Sequence, residues 1–172
     1  MITEQIAKDT ILMYPELNLF IAGEWRKANS DLSVVNPATE EEIGSLPCAS
    51  KADLDDAVEA AKKGFQIWRQ TSPRNRSDII LRAATLMRER QEEIAQSITL
   101  EHGKPLPQAR LEVIRGVEFF EWDAGEAMRT YGRIIPAARG HKFSVHQQPI
   151  GIVVAFSPWN FPMSQPARKI AG

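Results

Sequence analysis

The stretch that decides the fold is Gly151-Ile152-Val153-Val154-Ala155-Phe156, followed directly by Ser157-Pro158-Trp159-Asn160-Phe161-Pro162. Its first half is continuously apolar and rich in β-branched residues, which predicts a strand that is covered on both faces. Its second half contains two prolines that end the strand, and a helix is predicted to begin within residues 163–167. A buried strand, a tight loop and a helix form the geometry at whose carboxyl edge α/β proteins bind ligands. We therefore expect the functional site in this loop.

Upstream of this stretch, short strands alternate with turns and are followed by helices. Residues 143–147 alternate between apolar and polar side chains and predict a strand with one face in water. Near the amino terminus, strands are predicted at 19–21, 25–26, 33–35 and 43–46, with turns at 22–24 and 36–39.

Four segments between these strands show apolar residues at helical spacing, which predicts four helices with core-facing stripes. Ser50 is the predicted N-cap of the first helix, with Asp53 in its first turn, and Ser72-Pro73 is predicted to end it. Gly103 is predicted to cap the third helix in the left-handed conformation, and the fourth is predicted to end near Gly132. The stripes comprise Leu54, Ala57, Val58, Ala61, Phe65 and Trp68; Ile80, Ala83, Ala84 and Met87; Ile94 and Ile98; and Val113, Val117, Phe120, Ala124, Met128 and Tyr131.

The composition argues against several classes of function. The 21 basic and 22 acidic side chains give a formal net charge of -1, which does not favour binding to nucleic acid or to an anionic membrane. No apolar run approaches the roughly 20 residues that span a bilayer, and the first 18 residues lack a secretory signal pattern. Cys48 is the only cysteine, so no internal disulfide can form and a cytoplasmic location is expected.

Several motifs in the same order resemble the aldehyde dehydrogenase superfamily. The superfamily carries P-x-G-V followed by P-W-N-F-P, as at Pro149–Val153 and Pro158–Pro162. Further similar stretches are IAGEW at 21–25, VNPAT at 35–39 and LEHGKP at 100–105, so that the resemblance runs from about Leu17 to Gly172. The Arg-Lys pair after the loop is similar to the succinate-semialdehyde dehydrogenase branch.

The resemblance implies an α/β protein, namely the N-terminal part of the aldehyde dehydrogenase fold, with an incomplete Rossmann-like cofactor domain and an oligomerisation β-hairpin. Residues 1–130 would supply strands and helices of the cofactor domain, and residues 131–149 the hairpin segment. Residues 150–172 would supply the first core strand, the PWNFP loop and the start of the next helix. A homo-oligomer is the state implied for the complete enzyme.

Asn160 is the first candidate catalytic residue. A side-chain amide held in a proline-stiffened loop presents two N–H donors, which suits the oxyanion that forms when a nucleophile attacks a carbonyl. In the family the matching asparagine does this for a cysteine thiohemiacetal. The alternative is an asparagine that hydrogen-bonds its own loop, as Asn often does.

The residues around Asn160 are given roles by the resemblance. Phe156, Ser157, Pro158 and Trp159 would line the site of NAD or NADP. Lys169 would lie on the proton path, with a solvated surface lysine as its alternative. Arg168 would bind the distal carboxylate of the substrate, because a guanidinium fork can hold a carboxylate through two hydrogen bonds.

The other reactive side chains are not assigned to a site. Cys48 follows Pro47 in the N-terminal β-region without a nearby base, so we do not interpret it as the nucleophile. His102, His141 and His146 lack the spacing of metal ligands, and no metal site is predicted.

The resemblance implies oxidation of an aldehyde, with succinate semialdehyde as candidate, to a carboxylate through a cysteine thioester. The catalytic cysteine, the general-base glutamate and the phosphate-binding turn of the family have no match in these 172 residues. The sequence is therefore expected to be a fragment that is inactive alone and exposes an uncovered sheet edge. The alternative hypothesis is a non-catalytic interaction module with the same fold.

Overall fold

The computed structural model describes residues 14–172, so part of the prediction about a secretory signal falls on residues 1–13, outside the described residues. Helices and strands are both present. In chain order the elements are β1 (Leu19–Ile21), β2 (Glu24–Arg26), β3 (Ser30–Val35), β4 (Glu42–Cys48), α1 (Lys51–Trp68), α2 (Pro73–Glu89), α3 (Gln91–His102), α4 (Leu106–Ala127), β5 (Arg133–Ile135), β6 (Phe143–Val145) and α5 (Ser164–Ala171). Within residues 14–172, no helix is both long and apolar enough to cross a bilayer.

The strands form three separate antiparallel pairs, β1 with β2, β3 with β4 and β5 with β6. The predicted turn between β1 and β2 is confirmed. Ala22 and Gly23 both have positive φ, 57° and 85°, as two-residue hairpin turns require. In the last pair, a Cβ atom at Gly132 would overlap the backbone carbonyl oxygen of Val145, so glycine is the residue that fits beside this hairpin.

The local helix signals are largely confirmed. Ser50 caps α1, since its hydroxyl accepts the Asp53 N–H at 3.2 Å while the Asp53 carboxylate accepts the Ser50 N–H at 2.8 Å. Gly103 ends α3 with φ 73°. The prediction that Ser72-Pro73 ends the first helix was wrong, because α1 ends at Trp68 and Ser72 is instead the N-cap of α2, with Pro73 in its first turn.

The core lies around α4, which packs against α2, α3 and α5. Two clusters of buried side chains fill it; one contains Ala84, Val117, Phe120, Ala167 and Ala171, and the other Ala95, Ile98, Ala109 and Val113. A Cβ atom at Gly116 would lie 3.4 Å from the Ala167 Cβ, which shows how closely α5 approaches α4. This contact places the start of α5, and the loop before it, next to α4.

Two of the predicted core stripes need correction. No residue of α1 is buried, and Leu54 is 58% exposed, because among the described elements α1 packs mainly against β1. The predicted apolar stripe of the fourth helix extends too far toward the C-terminus. Since α4 ends at Ala127, Met128 and Tyr131 lie beyond the helix and are exposed.

The predicted buried strand over residues 151–156 was also wrong. The structure assigns no strand to this segment, and Val153, Val154 and Phe156 are 66%, 72% and 85% exposed. A strand requires a neighbour for its ladder of hydrogen bonds, and burial on two faces requires a layer on each. Among residues 14–172 neither is present for this segment, so its apolar side chains stay exposed.

An ion pair between α3 and α4 gives the fold a specific pH dependence. The carboxylate of Glu92 accepts hydrogen bonds from Arg110 Nε and Nη2 at 2.8 and 2.7 Å. These bonds, with one from Gln96, lower the pKa of Glu92 to about 2.

Glu92→Gln is therefore expected to lower stability at neutral pH but not in strong acid. The folded-state pKa lies below the unfolded value of about 4.3, so the pair stabilises the fold above that pH and loses its contribution as the pH falls toward about 2. Urea unfolding of both proteins between pH 7 and pH 2 measures the difference. A difference that stays constant over this range would contradict the prediction.

Candidate functional site

Two lysine side chains bind the loop at residues 157–162, one at its start and one at Asn160. Lys104, in the connection between α3 and α4, donates to the backbone carbonyl of Asn160 at 3.0 Å. Lys169 on α5 donates to the carbonyl of Phe156 and to the Ser157 hydroxyl, the latter at 3.2 Å. The predicted residue Lys169 is thus adjacent to two of the predicted cofactor residues.

Lys104 is itself held by a buried carboxylate. Its ammonium pairs with Glu112 on α4, and the two side chains are only 10% and 3% exposed. The other oxygen of Glu112 accepts the backbone N–H groups of Met163 at 2.8 Å and Ser164 at 3.2 Å. One carboxylate therefore joins α4 to the first turn of α5, where the partial positive charge of a helix N-terminus favours an anion.

Sequence reasoning missed this pair, although a signal was present. Glu112 falls on the same face of α4 as Ala109, Val113 and Gly116, at helical spacing. A carboxylate on a core-facing stripe is rarely left unpaired, so its position indicates a buried partner. The identity of that partner, Lys104, could not be read from the spacing.

Asn160 lies in a turn with its side chain exposed. Within residues 14–172 its side-chain amide has no hydrogen-bond partner, whereas its backbone carbonyl is bound by Lys104. In the described contacts this amide does not bond its own loop, and its role as an oxyanion donor stays a prediction. The two N–H donors remain available to an external acceptor.

The predicted cofactor residues form an exposed surface before Asn160. Phe156 and Trp159 are 85% and 78% exposed, and the Trp159 ring lies 5.5 Å from the ring of His102. Their binding of a nicotinamide cofactor stays a prediction. The structure thus leaves Phe156, Ser157, Pro158 and Trp159 accessible to such a ligand.

Arg168 lies on a different side of α5 from Lys169. Its guanidinium carbon is 5.7 Å from the centre of the Phe119 ring of α4. It lines an open groove of about 470 Å³ between α4 and α5, together with Lys104, Gln108, Leu111, Glu112, Arg115, Phe119, Phe161, Ser164 and Gln165. Because Phe161 directly follows Asn160, this groove begins at the predicted catalytic loop.

A larger groove of about 660 Å³ lies elsewhere, between the first strands and the segment that begins at Tyr14. None of the predicted site residues lines it. The Tyr14 hydroxyl donates to Glu101 at 2.6 Å, and burial together with this carboxylate raises the pKa of Tyr14. These contacts stabilise the protonated phenol and do not indicate a reactive group.

Cys48 is the last residue of β4, opposite Ser30, and its Sγ lies 3.9 Å from the Leu46 carbonyl oxygen. It does not line the groove between α4 and α5. Among residues 14–172, no group of three or more His, Cys, Asp or Glu side chains could hold a metal ion.

The similarity to known proteins agrees with the motifs. Residues 25–172 match the model of the aldehyde dehydrogenase family. The chain is 41% identical over 164 residues to a 4-(hydroxymethyl)benzenesulfonate dehydrogenase from Comamonas testosteroni, covering 94% of this chain and 34% of that protein. It is 38% identical over 152 residues to the NADP(+) succinate-semialdehyde dehydrogenase of Escherichia coli, covering 87% of this chain and 32% of that one.

Solved structures give the same result for the fold. The NADP complex of an NADP-dependent glyceraldehyde-3-phosphate dehydrogenase from Bacillus halodurans aligns with a TM-score of 0.86 at 32% identity, over 91% of this chain and 35% of the other. The expected fold class, the N-terminal part of the aldehyde dehydrogenase fold, is confirmed. The chain spans about a third of the length of the curated relatives it matches. On the family match and the shared fold together, this chain belongs to the aldehyde dehydrogenase family.

Proposed function

We propose that these residues form part of an NAD(P)-dependent enzyme that oxidises an aldehyde to a carboxylate, with succinate semialdehyde as the candidate substrate. The observation that carries this proposal is the Asn160 loop. Its backbone is bound by Lys104, and its side-chain amide points no donor at any described residue. An amide on an anchored backbone, with donors that no described residue uses, suits an oxyanion site.

In the proposed reaction, a cysteine thiolate adds to the aldehyde carbonyl, and the oxygen becomes an oxyanion that accepts hydrogen bonds from Asn160. Collapse of this adduct releases hydride from carbon and leaves a thioester, which water hydrolyses to the carboxylate and the free thiol. NAD(P)⁺, when bound, would accept the hydride. The nucleophile and the general base are proposed to come from residues other than these 172, since Cys48 is not assigned this role.

The neighbouring residues are proposed to position the reactants. Phe156, Ser157, Pro158 and Trp159 would contact the cofactor. Lys169 would hold this surface through the Phe156 carbonyl and the Ser157 hydroxyl and would lie on the proton path. Two observations support these roles: the side chains of residues 156–159 are exposed, and Lys104 and Lys169 bind the loop that carries them.

Arg168 is proposed to bind a negatively charged group at the far end of the substrate. It lines the groove that begins next to Asn160, and its guanidinium can pair with a carboxylate through two hydrogen bonds. Two of the relatives are named for substrates with an anionic group, one a semialdehyde of succinate and the other a benzenesulfonate. We propose an anionic aldehyde on these grounds.

The test compares two proteins. One is the 172-residue chain, and the other, here called the assembled enzyme, joins these 172 residues in frame to the remaining two thirds of the Escherichia coli relative. With succinate semialdehyde and NAD⁺ or NADP⁺, only the assembled enzyme is expected to form NAD(P)H. Turnover by the 172-residue chain that Cys48→Ser abolishes would make Cys48 the nucleophile and overturn the proposal.

The hairpin supports a second candidate function, a subunit contact or interaction module. Ile134 and Phe143 on β5 and β6 are 88% and 56% exposed. Exposed apolar side chains that lie together are typical of protein interfaces. A homo-oligomeric, cytoplasmic enzyme is proposed. An interaction module alone would be favoured if the assembled enzyme oligomerises but oxidises no aldehyde.

A further inference from the structure

We propose that Arg115 is a second anion-binding residue of the groove between α4 and α5, so that the substrate's distal oxyanion group is held between Arg115 and Arg168. This inference rests on the proposed function and assigns a specificity-determining role to a residue outside the recognised motifs. The substrate class that follows is an aldehyde whose far end carries a full negative charge on a carboxylate or sulfonate.

The balance of charge in the groove supports this assignment. Of its lining residues, Lys104 is neutralised by Glu112, and both side chains are nearly buried. The cations that remain are Arg115 and Arg168. The net charge presented to a ligand in this groove is therefore positive.

The two arginines reach this groove from different helices, Arg115 from α4 and Arg168 from α5. Arg115 and Phe119 are four residues apart on α4, so their side chains are neighbours on one helix face. The Arg168 guanidinium lies 5.7 Å from the centre of the same ring, from the α5 side. Arg168 therefore contacts Phe119, and Arg115 lies on the same face of α4 as this ring.

The acidic neighbours of these arginines leave them able to bind a ligand. Arg115 Nε lies 3.3 Å from Glu118, with both side chains more than half exposed, and such pairs stabilise weakly. Asp123 lies near Arg168, but burial and Glu126 raise its pKa despite this arginine, and it does not line the groove. An oxyanion placed between two guanidinium groups would instead gain charge-assisted hydrogen bonds from both.

The other walls fit the rest of such a substrate. Phe119 and Phe161 supply aromatic surface, and Phe161 leads directly to Asn160. Gln108 and Gln165 add neutral hydrogen-bond donors near the cations. A short carbon skeleton can therefore lie between aromatic side chains, with its aldehyde toward Asn160 and its charged end toward the arginines.

Arg115→Gln in the assembled enzyme tests the assignment. We expect kcat/KM for succinate semialdehyde to fall about 10- to 100-fold, mainly through a higher KM, because a charge-assisted contact present in both ground and transition states is lost. Butanal, which has no charged end, should be oxidised within about twofold of the unsubstituted rate, and Arg115→Lys should restore part of the loss. Arg74→Gln on α2 is the matched control, because Arg74 is an exposed arginine paired with Asp78. It should change kcat/KM for neither substrate.

A sulfonate-bearing aldehyde of similar length is measured as a second anionic substrate. The comparison shows whether the two arginines bind a carboxylate or a sulfonate. The proposal is supported if Arg115→Gln lowers kcat/KM for either anionic aldehyde and leaves kcat/KM for butanal unchanged. It is overturned if kcat/KM falls equally for butanal and the anionic aldehydes, or if it falls for neither anionic aldehyde. If the unsubstituted assembled enzyme oxidises no aldehyde at all, the proposed function fails instead.

A binding measurement on the 172-residue chain does not depend on turnover. The side-chain Nε–H signals of Arg115 and Arg168 in ¹⁵N spectra are followed while succinate is added, with succinamide as the neutral control. Both signals should shift with one common saturation curve for succinate and stay fixed for succinamide. A saturable shift at Arg168 without one at Arg115, or no shift at either, overturns the two-arginine site.

Discussion

Asn160→Ala in the assembled enzyme is expected to lower kcat about 100- to 1,000-fold, with a much smaller change in KM, because removal of one oxyanion donor costs this much in other enzymes. The substitution is well suited to the question, because Lys104 holds residue 160 through its backbone carbonyl. The alanine variant keeps that carbonyl, so the loop anchor should survive. Steady-state NAD(P)H formation and a thermal melt separate the loss of the donor from a loss of the fold.

Two further variants sharpen this experiment. Asn160→Asp keeps the size and shape of the side chain but places a carboxylate where negative charge develops. Its kcat should be lower than that of the alanine variant. Asn75→Ala removes the same amide from an exposed position on α2, where the backbone N–H, not the side chain, makes the capping bond. It should leave kcat unchanged. An Asn160→Ala enzyme with kcat within about threefold of the unsubstituted enzyme would exclude the oxyanion role.

Glu112→Ala is expected to destabilise the fold by about 3–5 kcal/mol, since removal of one partner leaves a buried charge without its counter-ion. Lys104 would keep only the Asn160 carbonyl and the Phe161 ring, 4.5 Å from its ammonium nitrogen. The N–H groups of Met163 and Ser164 would also lose their acceptor. Urea unfolding measures the total cost, and hydrogen exchange at these two amides shows whether the start of α5 opens.

Glu118→Ala provides the matched control, as it removes a carboxylate from an exposed ion pair on the same helix. Its cost should be about 0–1 kcal/mol. The double variant Lys104→Ala with Glu112→Ala should cost less than the sum of the two single changes, because each single change strands the partner of the other. A Glu112→Ala cost no larger than that of Glu118→Ala would show that the buried pair contributes little to the fold.

These two predictions concern one connected unit. Glu112 joins α4 to the start of α5 and to Lys104, and Lys104 binds the loop that carries Asn160. In the assembled enzyme, loosening the pair is therefore expected to misplace the proposed oxyanion donor. Small displacements of such a donor are costly, because its hydrogen bond acts over a narrow range of distance.

What the sequence by itself determined was local. Ser50 and Asp53 predict a helix start because they satisfy N–H groups only a few residues away, and Gly103 ends a helix because glycine tolerates positive φ. The family followed from ordered motifs, and with it the loop in which Asn160 lies. Each of these signals, including every single motif, consists of residues that are near one another in the chain.

What only the tertiary structure decided depends on residues far apart in sequence. An apolar run indicates that a segment can be buried, but burial needs a covering layer. For this reason residues 151–156 and the α1 stripe are exposed or half-buried, although their patterns favoured the core. The contact between Glu112 and the start of α5 spans 51 residues, and Arg115 and Arg168 share a groove only because α5 packs on α4. Such pairings are set by helix packing, which spacing along one helix does not specify.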